Sequence, residues 1–438
     1  MYPVTNSFLE DLSRKMNILD LDTATIRQIV SLAAAMEKAT GQPMLHLELG
    51  NPGLPAAAIG VEAERDAIAG GVCSRYPDIA GVPRLKEAGA HFVKAFIDID
   101  IAPRNIVPTV GSMQGTFTTM LLLGQRDPAK DTILFINPGF PVQRQQARLL
   151  GLGIESFDIY DYRGDALEAK LESYLEKGNI TGIIYSNPNN PAWFNLTERE
   201  LEIIGRLATR YDAVVLEDMA YLGMDFRCDY GVPGVAPFIP TVARYTDNYI
   251  IFISASKIFS YAGQRIATVC VGNALAERCF PALKAFYNMP TFVDAYIFGV
   301  LYCASSGTTH SAQYALAAMM EAACRGELNF VDECREYERR SQQARKAFTN
   351  AGFHLVYDRD GERPISDGFF FTVGYGDMGG AELHRRLFAH GIATIPLGST
   401  GSNQRGVRVC VSTLSSPADF KLLSDRLKAF DNEMKRKI

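Results

Sequence analysis

Tyr249-Ile-Ile-Phe-Ile253 is a run of apolar residues, and Ser254-Ala-Ser-Lys257-Ile-Phe-Ser260-Tyr-Ala-Gly263-Gln-Arg265-Ile-Ala267 follows it directly. The run is continuous. A strand with one face in water would alternate apolar and polar residues, so this one reads as buried on both faces, as in a mostly parallel sheet. Thr132-Ile-Leu-Phe-Ile136, Gly182-Ile-Ile-Tyr185 and Ala213-Val-Val-Leu216 have the same form. Helical stretches separate them. One, Thr197 to Arg210, opens Thr-Glu-Arg-Glu in the manner of a capping box. Strands alternating with helices predict an α/β domain over about residues 61–305, with a mostly parallel sheet flanked by helices.

Downstream the pattern changes. His310 to Ala351 reads as long helix with few breakers. Gly368 to Thr372 is an apolar stretch, Gly380 to Gly391 reads as helix, and Gly406 to Val411 reads as strand. These predict a smaller α+β domain over residues 306–438. Residues 1–60 read as an N-terminal arm whose amphipathic helix, Asp22 to Lys38, packs with the smaller domain.

The bulk properties narrow the function classes. A chain of 438 residues is too long for one ordinary core, in keeping with two domains. The net charge is −5 and no long basic stretch occurs, which argues against nucleic acid; Lys435-Arg436-Lys437 reads as a solvated tail. The first residues lack the charged start and apolar run of a signal peptide. The best apolar run, Ala295 to Ala304, would cross about half a bilayer, so no membrane span is expected. Eight cysteines are scattered without a C-x-x-C pair, the pattern of reduced thiols and a cytoplasmic protein. The six histidines show no metal-ligand spacing, and no metal is expected.

The polar residues worth attention lie just after the apolar runs, at the carboxyl ends of strands, where open α/β sheets bind ligands. Lys257 follows a buried strand. Partial desolvation there disfavours its charged form, and a neutral amine is what reacts with an aldehyde. Taken alone it reads more simply as a solvated lysine at a strand end. Ser254, Ser256 and Arg265 could hold a phosphate beside it. Gly111-Ser-Met-Gln-Gly115 follows the strand Asn105 to Val110 and opens a helix, a turn whose free N–H groups and dipole suit an anion. Asp218 sits in Glu217-Asp-Met-Ala-Tyr221 and Asn190 in the turn Asn187-Pro-Asn-Asn190-Pro191, each after its own strand. Arg408 interrupts an apolar strand, a costly place for a charge unless it is paired.

Together these segments resemble the class I/II aminotransferase family of fold type I pyridoxal-phosphate enzymes. Its signature, S-x-S-K followed by G-x-R-x-G, is matched except that Ala267 stands for the last glycine. The resemblance runs from about Thr25 to the C-terminus. It implies pyridoxal 5′-phosphate bound covalently to Lys257, with Asp218 against the pyridine nitrogen and Ala220 under the ring. Tyr221 and Asn190 would contact the phenolic oxygen. Ser112, Met113 and Gln114 would cradle the phosphate with Ser254, Ser256 and Arg265. Phe140 would stack on the ring, or is a core phenylalanine. Tyr76 would reach the phosphate of a neighbouring subunit, making a homodimer, or is an ordinary interface aromatic. Arg408 would fork onto the substrate α-carboxylate lined by Gly50; Arg405, close in register, is the alternative arginine. Ala192-Trp193 departs from the family's Thr-Gly, and Trp193 either narrows the substrate pocket or packs the loop.

The implied activity is amino transfer from an amino acid to a 2-oxo acid in two half-reactions. A C–S lyase working by β-elimination on the same scaffold is the alternative. A cofactor-binding regulator is disfavoured by the acidic charge and by the absence of an added DNA-binding domain ahead of Thr25. The substrate stays open, with Arg75 and Arg144 among the candidates for a distal carboxylate.

Overall fold

The computed structural model describes residues 2–18, 21 and 24–436. Two compact units emerge. One comprises Met1–Leu54, Asn189–Phe194 and Arg335–Ile438; the other comprises Pro55–Pro188 and Asn195–Cys334.

The second unit is built on a seven-stranded sheet. Its order is Ile106–Val110, Ile266–Val271, Tyr249–Ser254, Val214–Asp218, Ile180–Ser186, Thr132–Asn137, Gly153–Asp158. The last five strands in this order run parallel, and Ile266–Val271 is antiparallel to both its neighbours. The four continuous apolar runs form four adjacent strands, and every residue in them is buried. Each large apolar side chain so enclosed contributes roughly 1.5–3 kcal/mol. This is the α/β architecture with a mostly parallel sheet that the periodicity predicts.

Local signals set the helices. Thr197 caps Glu198–Arg210 by accepting from Glu200 N, and the Glu200 side chain reaches back to Thr197 N, the reciprocal box expected from Thr-Glu-Arg-Glu. The helix Gly111–Leu123 lies directly on the sheet because Gly115 has no side chain. A Cβ there would come within 2.8 Å of Val269 Cγ2 and 3.1 Å of the Phe252 ring.

One expectation needs correction. His310 to Ala351 is not a single long helix but three, His310–Cys324, Phe330–Glu333 and Glu336–Asn350. A turn with Gly326 at φ +71° ends the first, and the Asn329 side chain accepts from Val331 N and Asp332 N to start the second. The division between the units falls inside this stretch, after Cys334, whereas the sequence pattern places the boundary at 305. The reason is packing. His310–Cys324 presents a buried Ala-rich and Met-rich face to Ala58–Ala69 and Pro83–Ile97, and Met319 sits against the bare α-carbon of Gly60.

The first unit carries a four-stranded antiparallel sheet in the order Ile395–Pro396, Val407–Cys410, Phe370–Gly374, His354–Leu355. A short parallel pair, Leu45–His46 with Ile392–Ala393, forms a separate sheet. The N-terminal helix runs Ile26–Thr40 behind a capping box at Thr25, while Asp22, where the sequence pattern begins it, lies outside the described residues. Its Ile29, Leu32, Ala33 and Met36 pack with Phe388, Ala393 and Ile395. The supposed basic tail is helix as far as Lys435, whose Nζ lies 2.6 Å from Asp431 Oδ2; Lys437 is outside the described residues. Among the described residues no helix is long and apolar enough to cross a membrane.

Candidate active site

In the second unit, the register of the sheet gathers the anion-binding candidates. Ser254 pairs with Ala267, and Val110 pairs with Ile266, so the ends of three strands meet. Arg265 stands at that junction in the left-handed region, φ +50°. Its Nη1 donates to Ser256 Oγ at 3.4 Å and to Ala262 O at 3.0 Å. Its guanidinium lies so close over Gly111, φ +66°, that any Cβ there would collide with it. The first turn of Gly111–Leu123 therefore opens beside a guanidinium, with Ser112, Met113 and Gln114 in that turn. Gln114 bends back, its Oε1 accepting from Val110 N at 2.8 Å. Ser254 caps the short helix Ala255–Ile258 by accepting from Ser256 N at 3.2 Å. Lys257 is the third residue of that helix and half-buried. Beyond it, Tyr261 OH donates to buried Glu64 at 2.5 Å, and Ser311 Oγ donates to the same carboxylate at 2.9 Å.

Asp218 ends the strand Val214–Asp218 and is buried. Its carboxylate accepts from Gln143 Nε2 at 2.8 Å and from Ala220 N at 3.2 Å. Among the described residues no cation pairs with it, and burial pushes its carboxyl up to about 6. Glu217, on the opposite face of the strand, is pushed up to about 7 by burial despite accepting from Thr241 Oγ1, Val242 N and Tyr185 OH. Tyr221 is buried and Ala220 half-buried in the turn after Asp218. Phe140, half-buried, precedes the helix Pro141–Leu149 and so places Gln143 one turn on. Sequence reasoning missed Gln143; its signal was its spacing of three from Phe140 at a helix start. Tyr76 is 89% exposed, an unusual degree for so large an aromatic side chain.

The first unit holds Gly50, Asn190 and Arg408. Arg408 is the middle of a strand paired on both sides, opposite Thr372 and Ile395, and it is buried. Its Nη1 donates to Asn190 Oδ1 at 3.3 Å and its Nη2 to Glu48 O, and its guanidinium lies 4.6 Å above the Phe370 ring. Arg405 is exposed, donating to Asp377 O at 3.0 Å. Asn190 belongs to a loop closed by Asn189, which donates through N to Phe194 O and accepts at O from Trp193 N, each at 2.9 Å. Trp193 is wholly buried beside Phe370. Arg144, a candidate for a distal carboxylate, donates to Asn137 Oδ1 at 2.7 Å in the second unit. No group of His, Cys, Asp and Glu able to hold a metal occurs among the described residues.

Residues 43–427 match the family profile described as aminotransferase class I and II. Glutamate-pyruvate aminotransferase AlaC of Escherichia coli is 29% identical over 222 residues, which is 50% of this chain and 51% of that protein. Against AlaC and two barley nicotianamine aminotransferases, the matched stretch spans about half the relative's length. The aspartate/prephenate aminotransferase of Thermus thermophilus is 24% identical over 89% of this chain and 91% of its own. A solved structure of aspartate aminotransferase from Thermus thermophilus with maleate shares the fold, with TM-score 0.72 at 20% identity, covering 93% of this chain and 96% of that one.

Enzymes of this family use pyridoxal 5′-phosphate, and the residues present fit it. A buried carboxylate held by neutral donors suits a protonated pyridine nitrogen, and a helix N-terminus flanked by Arg265 and Ser256 suits a phosphate.

Proposed function

The chain belongs to the aminotransferase class I and II family, and on that premise we propose that it transfers an amino group from an amino acid to a 2-oxo acid by a ping-pong cycle worked by Lys257. One observation carries the reading. Lys257, Asp218 and the Gly111–Ser256–Arg265 junction all stand at strand ends of one sheet, each offering a different kind of contact. When bound, pyridoxal phosphate supplies an aldehyde carbon that takes up amines and a protonated ring that withdraws electrons from the substrate α-carbon.

Lys257 holds the cofactor between turnovers. Its Nζ, once freed by the donor's amine, would take the proton from the substrate α-carbon and give it up again on the far side of the imine nitrogen, acting as base and then acid. Asp218 would keep the ring nitrogen protonated, and a cation there would offset the desolvation that raises its carboxyl. Gln143 orients Asp218. By the resemblance, Tyr221 and Asn190 would contact the phenolic oxygen, and Phe140 and Ala220 would contact the ring. The N–H groups of Ser112, Met113 and Gln114, with Ser254, Ser256 and Arg265, hold the phosphate. Arg408, with Gly50, would take the α-carboxylate shared by donor and acceptor. Tyr76, 89% exposed, would reach the phosphate of a second copy in a cytoplasmic homodimer.

The test is Lys257→Ala. The variant should lose the lysine-linked absorbance of the cofactor and fall by more than about 10³-fold in kcat. Retention of that chromophore would sink the assignment. A donor screen with 2-oxoglutarate should show an absolute need for the acceptor; steady pyruvate release from an S-linked amino acid without acceptor would instead identify a lyase.

A further inference from the structure

Trp193 is the one member of the loop Asn189–Phe194 singled out by its sequence that the proposed chemistry leaves unused. Its backbone lies in the left-handed region, φ +68°, where glycine sits freely and a bulky residue does not. The chain thus holds an indole at a position that strains it. The side chain is fully buried, and its destination is specific. It meets the Phe370 ring edge-on, with centroids 6.0 Å apart and planes at 72°. Its Nε1–Cζ2 edge fills a notch at Gly368, where an added Cβ would collide with it. Phe370 in turn lies under the guanidinium of Arg408. Phe370 pairs with Cys410 and Thr372 with Arg408, so Phe370 and Arg408 share one face of the sheet as diagonal neighbours.

We infer that Trp193 is a positioning residue for Arg408. Seated in the Gly368 notch, the indole sets the Phe370 ring, and the ring face holds the guanidinium by a cation–π contact in one orientation. The inference rests on the reading of Arg408 as the carboxylate-binding group. Donor and acceptor share that carboxylate, so both Michaelis constants must respond together.

The experiment compares W193G, W193F, G368A and F370L as holoenzymes. W193G relieves the backbone and removes the indole. It should raise KM for donor and acceptor alike by about tenfold while kcat changes by less than about threefold. The cofactor absorbance should not move. W193F keeps an aromatic edge against Phe370 and should recover most of the loss. G368A displaces the indole without removing it and should raise both KM values, and F370L should do the same with no further rise when combined with W193G. If W193G does not fold, the KM values of G368A and F370L decide the question in its place. The chain has a single tryptophan, which gives a readout independent of turnover. Its emission should change saturably when wild-type holoenzyme is titrated with succinate, and the change should vanish in Arg408→Met. Unchanged KM values in W193G and G368A, with Arg408→Met raising both, would overturn the inference alone. Unchanged KM values in Arg408→Met would overturn the reading of Arg408 beneath it.

Discussion

Asp218 and Arg408 are both buried charges on strands, one in each unit, and their surroundings differ. Asp218 ends its strand and has two neutral donors, Gln143 Nε2 and Ala220 N, with its carboxyl pushed up to about 6. Arg408 sits within its strand and is dressed by a carbonyl, an amide oxygen and an aromatic face. The first arrangement leaves a charge at a cost that a bound cation would offset. The second surrounds its charge with dipoles of the protein itself and fixes the direction of the fork. A group meant to pair with a ring nitrogen gains from the first, and a group meant to clamp a planar carboxylate gains from the second.

The comparison breaks most visibly at Asp218. Asp218→Asn should lower kcat/KM by about 10³-fold while the cofactor still binds, checked by steady-state kinetics beside an absorbance titration. A loss under about threefold would mean the carboxylate is not paired with the ring.

The cofactor-free protein offers the next test. Asp218 and Glu217 both have carboxyls raised by burial, to about 6 and about 7. A raised carboxyl favours the protonated folded state, so its stabilisation is present at low pH. It is lost as pH rises from the ordinary carboxylate range through these folded values. Denaturant midpoints should fall between about pH 4 and pH 7, with Asp218 accounting for roughly 3 kcal/mol. Asp218→Asn, or added cofactor, should flatten the lower part of that slope and spare the part due to Glu217. A slope unaltered by both would refute the cost assigned to Asp218.

Arg408→Lys probes the other region. Lysine keeps the charge but loses the fork and the stacking plane, so KM for donor and acceptor should each rise by about 30-fold with kcat little changed. A larger effect on kcat than on KM would show that Arg408 does more than clamp. Gln143→Leu should have the smallest effect. It removes one of two donors to Asp218, about 1 kcal/mol, and so should lower kcat/KM about fivefold and shift its pH profile toward higher pH.

Much of this was legible in the chain itself. Continuous apolar runs and the Thr197 capping box located strands and helices because burial on both faces and helix capping are local patterns with fixed periods. Lys257, Asp218 and Gly111 could be marked because each directly follows such a run. Gln143 was missed because its spacing of three from Phe140 places it one turn into a helix but does not say that it reaches a carboxylate 75 positions away. The break at Gly326 was missed because an Ala-rich helix and its successor look continuous until the turn between them is seen.

The sequence by itself determined the α/β class, the family and the strand-end residues available for chemistry, since these follow from periodicity and short motifs. Tertiary structure alone decided their partners. Antiparallel pairing of Ile266–Val271 with both neighbours brought Arg265 over Gly111. Diagonal placement across two strands put Arg408 over Phe370, and a loop far away in sequence delivered Trp193 to the same ring. The physical reason is range. Periodicity is set by neighbours along the chain, whereas pairing register and side-chain contact are set by burial of surfaces that meet only after the chain has closed on itself.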